Sequence, residues 1–408
     1  MNAQKKLDLV IWGATGFTGQ LVCEYIANSY NSKDLNWTIA GRNEEKLLKL
    51  KNRLNIKNSI LIGNSNHKSS LEKICGKTKV ICSTVGPYAL YGTNLIHACI
   101  KMKTNYCDIS GETQWIRKII DTFHEKAKKQ KIKIVNSCGF DSIPSDIGVY
   151  FCQSNYYKEN GEYANEINMR VAGTRGGFSG GTYNSLTNVI HEASLNRSVR
   201  KILNNPYGLN PINEQSGPDK KDLKSVEYDN EAKSWIAPFV MAGINTKIVR
   251  RSNALLNYKY GNSFLYSEAV LVGNGILGKI IGYLSLIPIL MVIQKKGSVI
   301  KKIVDLFVPK AGEGPSKKQR ENGFFSLKFF FSNNRQKYQA KVTGDMDPGY
   351  GSTSKMLAEC AICLALDDTL NENYGVITPS VAFEENILER LQNNAGLEFS
   401  MKKSKELF

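Results

Sequence analysis

An apolar run from Leu7 to Trp12 is followed at once by Gly13-Ala14-Thr15-Gly16-Phe17-Thr18-Gly19 and then by QLVCEYIANSY, a stretch suited to a helix. Strand, glycine turn and helix in that order constrain this chain more than any other feature, because the same order cradles the pyrophosphate of a dinucleotide. The first glycine permits the tight turn, Gly16 lets backbone approach the pyrophosphate, and Gly19 lets the helix pack on the strand. The helix start offers unpaired N–H groups and the positive end of a dipole. Thr15 and Phe17 lie in the same turn and join the glycines as cofactor-binding candidates.

A second strand, Trp37 to Ala40, ends in Gly41-Arg42-Asn43. An NAD site places Asp or Glu near that strand end, on the ribose 2′-hydroxyl. Arg42 stands there instead. Its guanidinium suits a 2′-phosphate through paired, charge-assisted bonds, so NADP(H) is favoured over NAD(H). The competing reading is that Arg42 only caps or solvates the helix EEKLLKLKNRL that follows.

Further strands and helices alternate. Lys79 to Val85 ends in Gly86-Pro87-Tyr88, TNYCDISGE carries Asp108, Ser110 and Glu112, and the strand from Lys133 leads to Cys138, Asp141 and Ser142. Alternation of this kind gives a parallel sheet with helices on both faces, and ligands bind beyond its strand carboxyl ends. Gly86 and Pro87 are therefore cofactor-wall candidates. Tyr88, Asp108, Glu112, Cys138, Asp141 and Ser142 are site candidates by position, although Asp and Ser also close turns and cap helices.

The expected fold class is α/β: an N-terminal Rossmann domain with a doubly wound parallel sheet, a second mixed α/β domain, and a C-terminal helix returning to the first. A chain of 408 residues is long enough for two cores. The boundaries are 1–145 for the nucleotide domain, 146–345 for a substrate or dimerisation domain, and 346–408 for a segment packing back on the first. In the second domain, Glu166 to Ala172 reads as a strand, and a five-glycine loop from Gly173 opens a helix to about Asn196. Those glycines mean close approach to a ligand or merely to a neighbouring strand. Arg175, Thr182 and Tyr183 could reach a substrate there. Residues 203–232 read as a long surface excursion, and Ser352, Thr353 or Ser354 is expected to cap the helix that follows.

Residues 276–293, ILGKIIGYLSLIPILMVI, contain a single charge and precede Lys295, Lys296, Lys301 and Lys302. The segment could be a buried interface helix, a membrane span, or a helix lying in a membrane surface with lysines on anionic head groups. A span in mid-domain fits worst, because the following strands would be left on the wrong side.

The net charge of +17 is spread over most of the chain, with no basic stripe interleaved with aromatics, so nucleic acid is not an expected partner. Nine cysteines, an odd number, do not resemble a secreted disulfide framework. Cys360 and Cys363 form a CxxC inside a helical pattern and read as two small residues on a buried face. Four dispersed histidines give no ligand spacing, and no metal site is expected. The N-terminus runs straight into a strand, which favours a cytoplasmic start.

These motifs resemble the saccharopine dehydrogenase-like oxidoreductases, a family related to the mycobacterial trans-acting enoyl reductases. The resemblance rests on VIWGATGFTG, AGR, STVGPY, YCDISGE, NSCGFDSIPSD and YGVITPSVAFEENILERL with GLEFS, all in order. It implies a Rossmann domain, a mixed α/β domain and lipid-associated biology, with reduction of a double bond in polyketide-derived lipid precursors among the mycobacterial relatives. The cofactor residues it carries over are Gly13, Gly16, Gly19 and Arg42.

Three functions follow as expectations. The first is an NADPH-dependent reductase of a lipid or lipid-linked acyl group, enoyl or keto, acting from the cytoplasmic face at a lipid droplet or membrane, alone or as a homodimer. Tyr183, Tyr88 and Arg175 would donate to the developing oxyanion, and Asp141 or Glu112 would relay a proton. The absence of any Tyr-x-x-x-Lys pair removes the usual short-chain dehydrogenase mechanism. The second is an amino-acid dehydrogenase of the saccharopine type, needing convergent arginines for several carboxylates. The third is a nucleotide-binding scaffold without catalysis.

Overall fold

The computed structural model describes residues 5–177, 180–292, 313–333 and 336–404, which divide into two units. The first unit comprises Met1–Ile143 with Gly349–Gly396, and the second Pro144–Pro348 with Leu397–Phe408.

The first unit is built on strands β1 (Leu7–Trp12), β2 (Trp37–Gly41), β3 (Leu61–Ile62), β4 (Thr78–Ser83), β5 (Asn105–Asp108) and β6 (Lys133–Val135), joined late in the chain by β13 (Gly375–Ile377). They form a seven-stranded parallel sheet in the order β13-β6-β5-β4-β1-β2-β3. The chain crosses over at β1 and β4, so the switch point of this doubly wound sheet lies beside the glycine turn. Helices α1 (Phe17–Ser29), α2 (Glu44–Arg53), α3 (Lys68–Cys75), α4 (Tyr88–Tyr91), α5 (Thr93–Lys101) and α6 (Thr113–Lys129) link the strands. Strands covered on both faces read as unbroken apolar runs rather than alternating ones, and β2 is buried throughout.

The C-terminal part of this unit contributes three further helices, which we number α13 (Thr353–Leu366), α14 (Pro379–Phe383) and α15 (Glu385–Asn393). Helix α13 is the returning helix expected from the sequence, and it packs against α1, β1, β4 and β5. Cys360 and Cys363 lie on its buried face, and all nine cysteines are buried free thiols. The expected serine or threonine cap is not formed. A wide π turn, Pro348–Ser352, enters α13, no side chain caps it, and Thr353 Oγ1 instead accepts the Phe140 N–H at 3.0 Å.

The second unit holds a mixed sheet of β7 (Glu166–Arg175), β8 (Glu227–Asp229), β9 (Ser234–Ala237), β10 (Leu265–Gly273), β11 (Phe324–Ser332), β12 (Lys337–Gly344) and β14 (Leu397–Lys403), ordered β14-β12-β11-β7-β10-β9-β8. Its helices are α7 (Ile143–Asn160), α8 (Gly180–Leu195), α9 (Arg197–Asn204), α10 (Ala242–Leu255), α11 (Gly275–Val292) and α12 (Lys317–Glu321). Only β7 and β10 pair in parallel. Strand β12 alternates strictly, and Tyr338, Ala340 and Val342 point into the core, where Tyr338 stacks on Phe331.

Two expectations need correction. The last segment, 346–408, does not belong wholly to the first unit: β14 pairs antiparallel with β12, so the chain crosses back after Gly396. Residues 203–232 are not simply a surface excursion. Tyr207 and Leu209 are buried, and Asp219 takes the Arg250 guanidinium at 2.6 Å while Tyr207 lies against the same cation. The excursion is thereby tied to α10.

Helix α10 is almost wholly buried yet rich in polar side chains. Beside it Glu268 of β10 is 2% exposed and accepts from Tyr266 Oη at 2.7 Å and Asn245 Nδ2 at 3.0 Å. Neither partner is a cation, so desolvation prevails and pushes the Glu268 carboxyl up to about 7. Its folded-state proton affinity exceeds that of the unfolded chain. Stability should fall as pH rises from about 4.5 to about 7, by roughly 3 kcal/mol for this group. Glu268→Gln should flatten that window in urea titrations taken at several pH values; an unchanged slope would contradict the assignment.

Candidate active site

The glycine turn is the first component. Gly13 has φ of +87°, and a Cβ there would lie 2.4 Å from Val85 Cγ2. At Gly19 a Cβ would meet the Gly13 carbonyl oxygen at 2.3 Å, so α1 sits directly on the turn. Gly16 differs. Its φ of −73° suits any L-residue, it is exposed, and a Cβ would meet only the Gly13 oxygen, at 3.3 Å. The fold demands glycine at 13 and 19; at 16 the bare backbone leaves room for a ligand. Helix α1 begins here with neither a side-chain cap nor an acidic residue in its first turn, an arrangement suited to a pyrophosphate. Thr15 is fixed through its carbonyl, which accepts from Gln20 Nε2 at 3.3 Å, and Phe17 packs edge-on against Tyr350 at 5.1 Å.

The end of β2 removes one part of the competing reading of Arg42, that it caps the next helix. Asn43 is the cap of α2, its side chain accepting the Lys46 N–H at 2.9 Å. Arg42 is exposed, and among the described residues it has no hydrogen-bond or ion-pair partner.

The opposite wall is the turn after β4. Thr84, which the sequence reading passed over, stands within 3.2 Å of the Gly13 oxygen through its hydroxyl and so couples the two strand ends. Gly86 and Pro87, joined by a cis peptide, are exposed and half-buried respectively. The Glu112 carboxylate accepts the N–H groups of Tyr88 and Ala89 at 2.7 and 2.9 Å, which commits it to holding this turn rather than to relaying a proton. Tyr88 is buried against Trp115, and its hydroxyl donates to the Ser83 carbonyl at 3.1 Å. Burial pushes its phenol well up. As a catalytic candidate Tyr88 is therefore turned the wrong way: it is wall, with its hydroxyl engaged inside the sheet.

Beyond β5 and β6 lie the carboxylates. Asp108 is buried and accepts from Tyr106 Oη, Asn136 Nδ2 and the N–H groups of Ser110 and Ser137. Asp141 is partly exposed and has no hydrogen-bond partner among the described residues. Desolvation, then the charge of Asp108, pushes it up to about 7. Cys138 is buried with its thiol pushed up by desolvation, and so is not a nucleophile. Ser142 is buried.

Arg175 and Tyr183 belong to the second unit. Arg175 ends β7, exposed, with its guanidinium 5.6 Å from the centre of the Phe324 ring. Tyr183 is half-buried in the first turns of α8. Two glycines of the preceding loop are explained by neighbouring chain: a Cβ at Gly176 would lie 3.0 Å from Pro348, and one at Gly177 3.2 Å from Pro315. The loop's residues 178 and 179 lie outside the described residues.

A family model described as the saccharopine dehydrogenase NADP binding domain matches residues 9–135, which span the glycine turn, Arg42 and the strand ends just described. Over 415 aligned positions, 95% of this chain and 96% of the relative, the sequence is 35% identical to a Mycobacterium tuberculosis protein provisionally named a trans-acting enoyl reductase. The chain belongs to the saccharopine dehydrogenase-like oxidoreductases. A trans-acting enoyl reductase of Mycobacterium ulcerans is 31% identical, with 96% of each chain covered. The apo saccharopine dehydrogenase (L-Glu forming) of Saccharomyces cerevisiae superposes with a TM-score of 0.55 at 14% identity, over 97% of this chain and 99% of that one, which shows a shared fold. As a saccharopine dehydrogenase-like protein with this domain, the chain is an NAD(P)-dependent oxidoreductase, and its first unit binds NADP(H).

Replacing Arg42 by Glu should weaken NADPH binding roughly tenfold to a hundredfold, the worth of a charge-assisted bond pair, while leaving NADH nearly unchanged. Fluorescence titration with both nucleotides measures it. Equal loss for both, or none for either, would remove Arg42 from the 2′-phosphate.

Proposed function

We propose that this oxidoreductase reduces an enoyl or keto group of a lipid or lipid-linked acyl substrate with NADPH, working at the cytoplasmic face of a membrane or lipid droplet. The observation that carries this reading is α11. Its Gly278 and Gly282 are buried, and a Cβ at Gly282 would meet Val226 at 2.8 Å. Small residues thus face the sheet while Ile276, Leu277, Ile280, Leu284, Ile287 and Leu290 stand outward, Ile276 81% exposed. A helix turned inside out in this way is suited to an apolar surface, with Lys279 lying over Trp235 at its edge. No helix among the described residues is long and apolar enough to cross a membrane. Residue 293 and the four following lysines lie outside the described residues. The names of the mycobacterial relatives support an enoyl substrate.

The saccharopine-type alternative needs arginines open to substrate carboxylates. Three buried candidates are already engaged: Arg170 pairs with Asp229 and Arg250 with Asp219, each at 2.6 Å, while Arg251 donates to the Leu209 carbonyl. The scaffold alternative keeps the cofactor turn but gives no task to Asp141.

When bound, the reduced nicotinamide supplies hydride to an electrophilic carbon. Asp141 then gives its carboxyl proton to the position that gains electron density, and its solvent-reached side allows reprotonation. A carboxyl pushed up to about 7 keeps that proton on about half of the molecules at neutral pH, where an ordinary aspartate has almost none.

Purified protein given NADPH labelled at the transferable position and fractionated cell lipids should move label into an acyl lipid. Asp141→Asn should lower that transfer on the order of a hundredfold or more at unchanged NADPH affinity; undiminished transfer would dismiss Asp141, and no transfer to any lipid class would dismiss the lipid reductase. Ile280→Asp with Leu284→Asp should abolish flotation with anionic phospholipid vesicles. If flotation persists, or if the face instead proves on sedimentation to be a dimer contact, the surface-bound reading is wrong.

A further inference from the structure

We propose that Asp108 is a positioning residue for Asp141: it stitches together the two strand-end loops that carry that carboxyl and sets a fixed negative charge behind it. The inference rests on the reading of Asp141 as proton donor. Asp108 closes β5, and each of its oxygens accepts two bonds. Oδ2 takes Tyr106 Oη and Asn136 Nδ2, both at 2.8 Å; Oδ1 takes the N–H of Ser110 at 2.9 Å and of Ser137 at 3.2 Å. Its own carbonyl accepts the Cys138 N–H at 2.7 Å, and Ser137 Oγ donates to the Ser110 carbonyl at 2.6 Å. One side chain therefore fixes both the loop after β5 and the loop after β6. The fixation is tight enough to hold Ser137 at φ of +62°, a conformation serine seldom adopts. From the far side Thr353 holds Phe140, the residue before Asp141.

The two carboxyls live in contrasting surroundings. Among the described residues no cation pairs with Asp108; the titratable groups around it are the phenols of Tyr88 and Tyr106 and the thiols of Cys107 and Cys138, all pushed up and hence neutral. Four donors offset much of its burial, leaving it at about 6. Among the described residues Asp141 has no donor, and Asp108 is the one charged group acting on it. Its Oδ1 lies beside Gly111, at 3.8 Å from where a Cβ would stand, and Gly111 is exposed. Of two neighbouring carboxyls, the hydrogen-bonded one ionises first and the bare one keeps the proton.

The structure also offers a clean variant. Asn136 Oδ1 is buried without a partner. Asp108→Asn can keep its backbone acceptor role, while an amide flip of Asn136 lets that oxygen accept from the new amide. The titration midpoint of Asp141, read by NMR of aspartate labelled with carbon-13 at the side-chain carboxyl, should drop by roughly one pH unit in Asp108→Asn. Tyr106→Phe, which removes one donor and so makes Asp108 harder to ionise, should move it the same way by less. The high-pH limb of kcat/KM should follow. A folded Asp108→Asn, or Tyr106→Phe if the first does not fold, with an unmoved Asp141 midpoint would overturn the inference. That result, with Asp141→Asn inactive, leaves the proton donor standing; an active Asp141→Asn removes the donor itself.

Discussion

The approach of α1 to the turn after β1 governs the nucleotide unit. With the Gly13 oxygen only 2.3 Å from where a Gly19 Cβ would stand, any side chain at 19 would lift the helix off its strand. Thr84 reaches the same oxygen from β4, so one carbonyl joins the turn, the helix and the neighbouring strand at the crossover of the sheet. At the start of that helix the cap position is Gly16, which has no side chain to offer, so the first N–H groups of α1 are left for an anion.

From that junction the rest of the site follows along the strand ends. Arg42 stands exposed at the end of β2. Glu112 and Asp108 do structural work, Glu112 holding two backbone N–H groups of the turn after β4 and Asp108 tying the loop after β5 to the loop after β6. Asp141 is the exception, a partly exposed carboxyl with no hydrogen-bond partner among the described residues. Contrasting environments for neighbouring acids separate a fixed anion from a transferable proton.

Much of this was legible in the sequence because it depends on local spacing. The strand, glycine and helix order, Arg42 in place of an acid, and the apolar strands of a covered parallel sheet are all short-range signals. The failures share a cause. Whether Tyr88 presents its hydroxyl outward, whether Glu112 is free, and whether a side chain caps α13 depend on three-dimensional contacts that spacing does not show, such as Phe140 with Thr353. The crossing of β14 to the second sheet was hidden because LEFS reads as a closing strand for either unit. The polar stretch 203–232 looked like a solvated loop; its Asp219 is in fact held by an arginine of α10, a pairing that composition does not reveal. For α11 the sequence left burial, spanning and surface lying open, and the glycines at 278 and 282 decided which face turns outward.

Gly16 separates a turn shaped by the protein from one shaped for a ligand, so a Gly16→Ala variant tests the account most directly. The backbone dihedrals there suit alanine, and the one atom its Cβ would meet, the Gly13 carbonyl oxygen at 3.3 Å, needs to give by only a few tenths of an ångström. Thermal unfolding should shift by no more than about 2 °C, as for a surface change, while the dissociation constant for NADPH rises on the order of tenfold or more. A variant that melts as the parent does and binds NADPH equally well would show that no pyrophosphate lies on this turn.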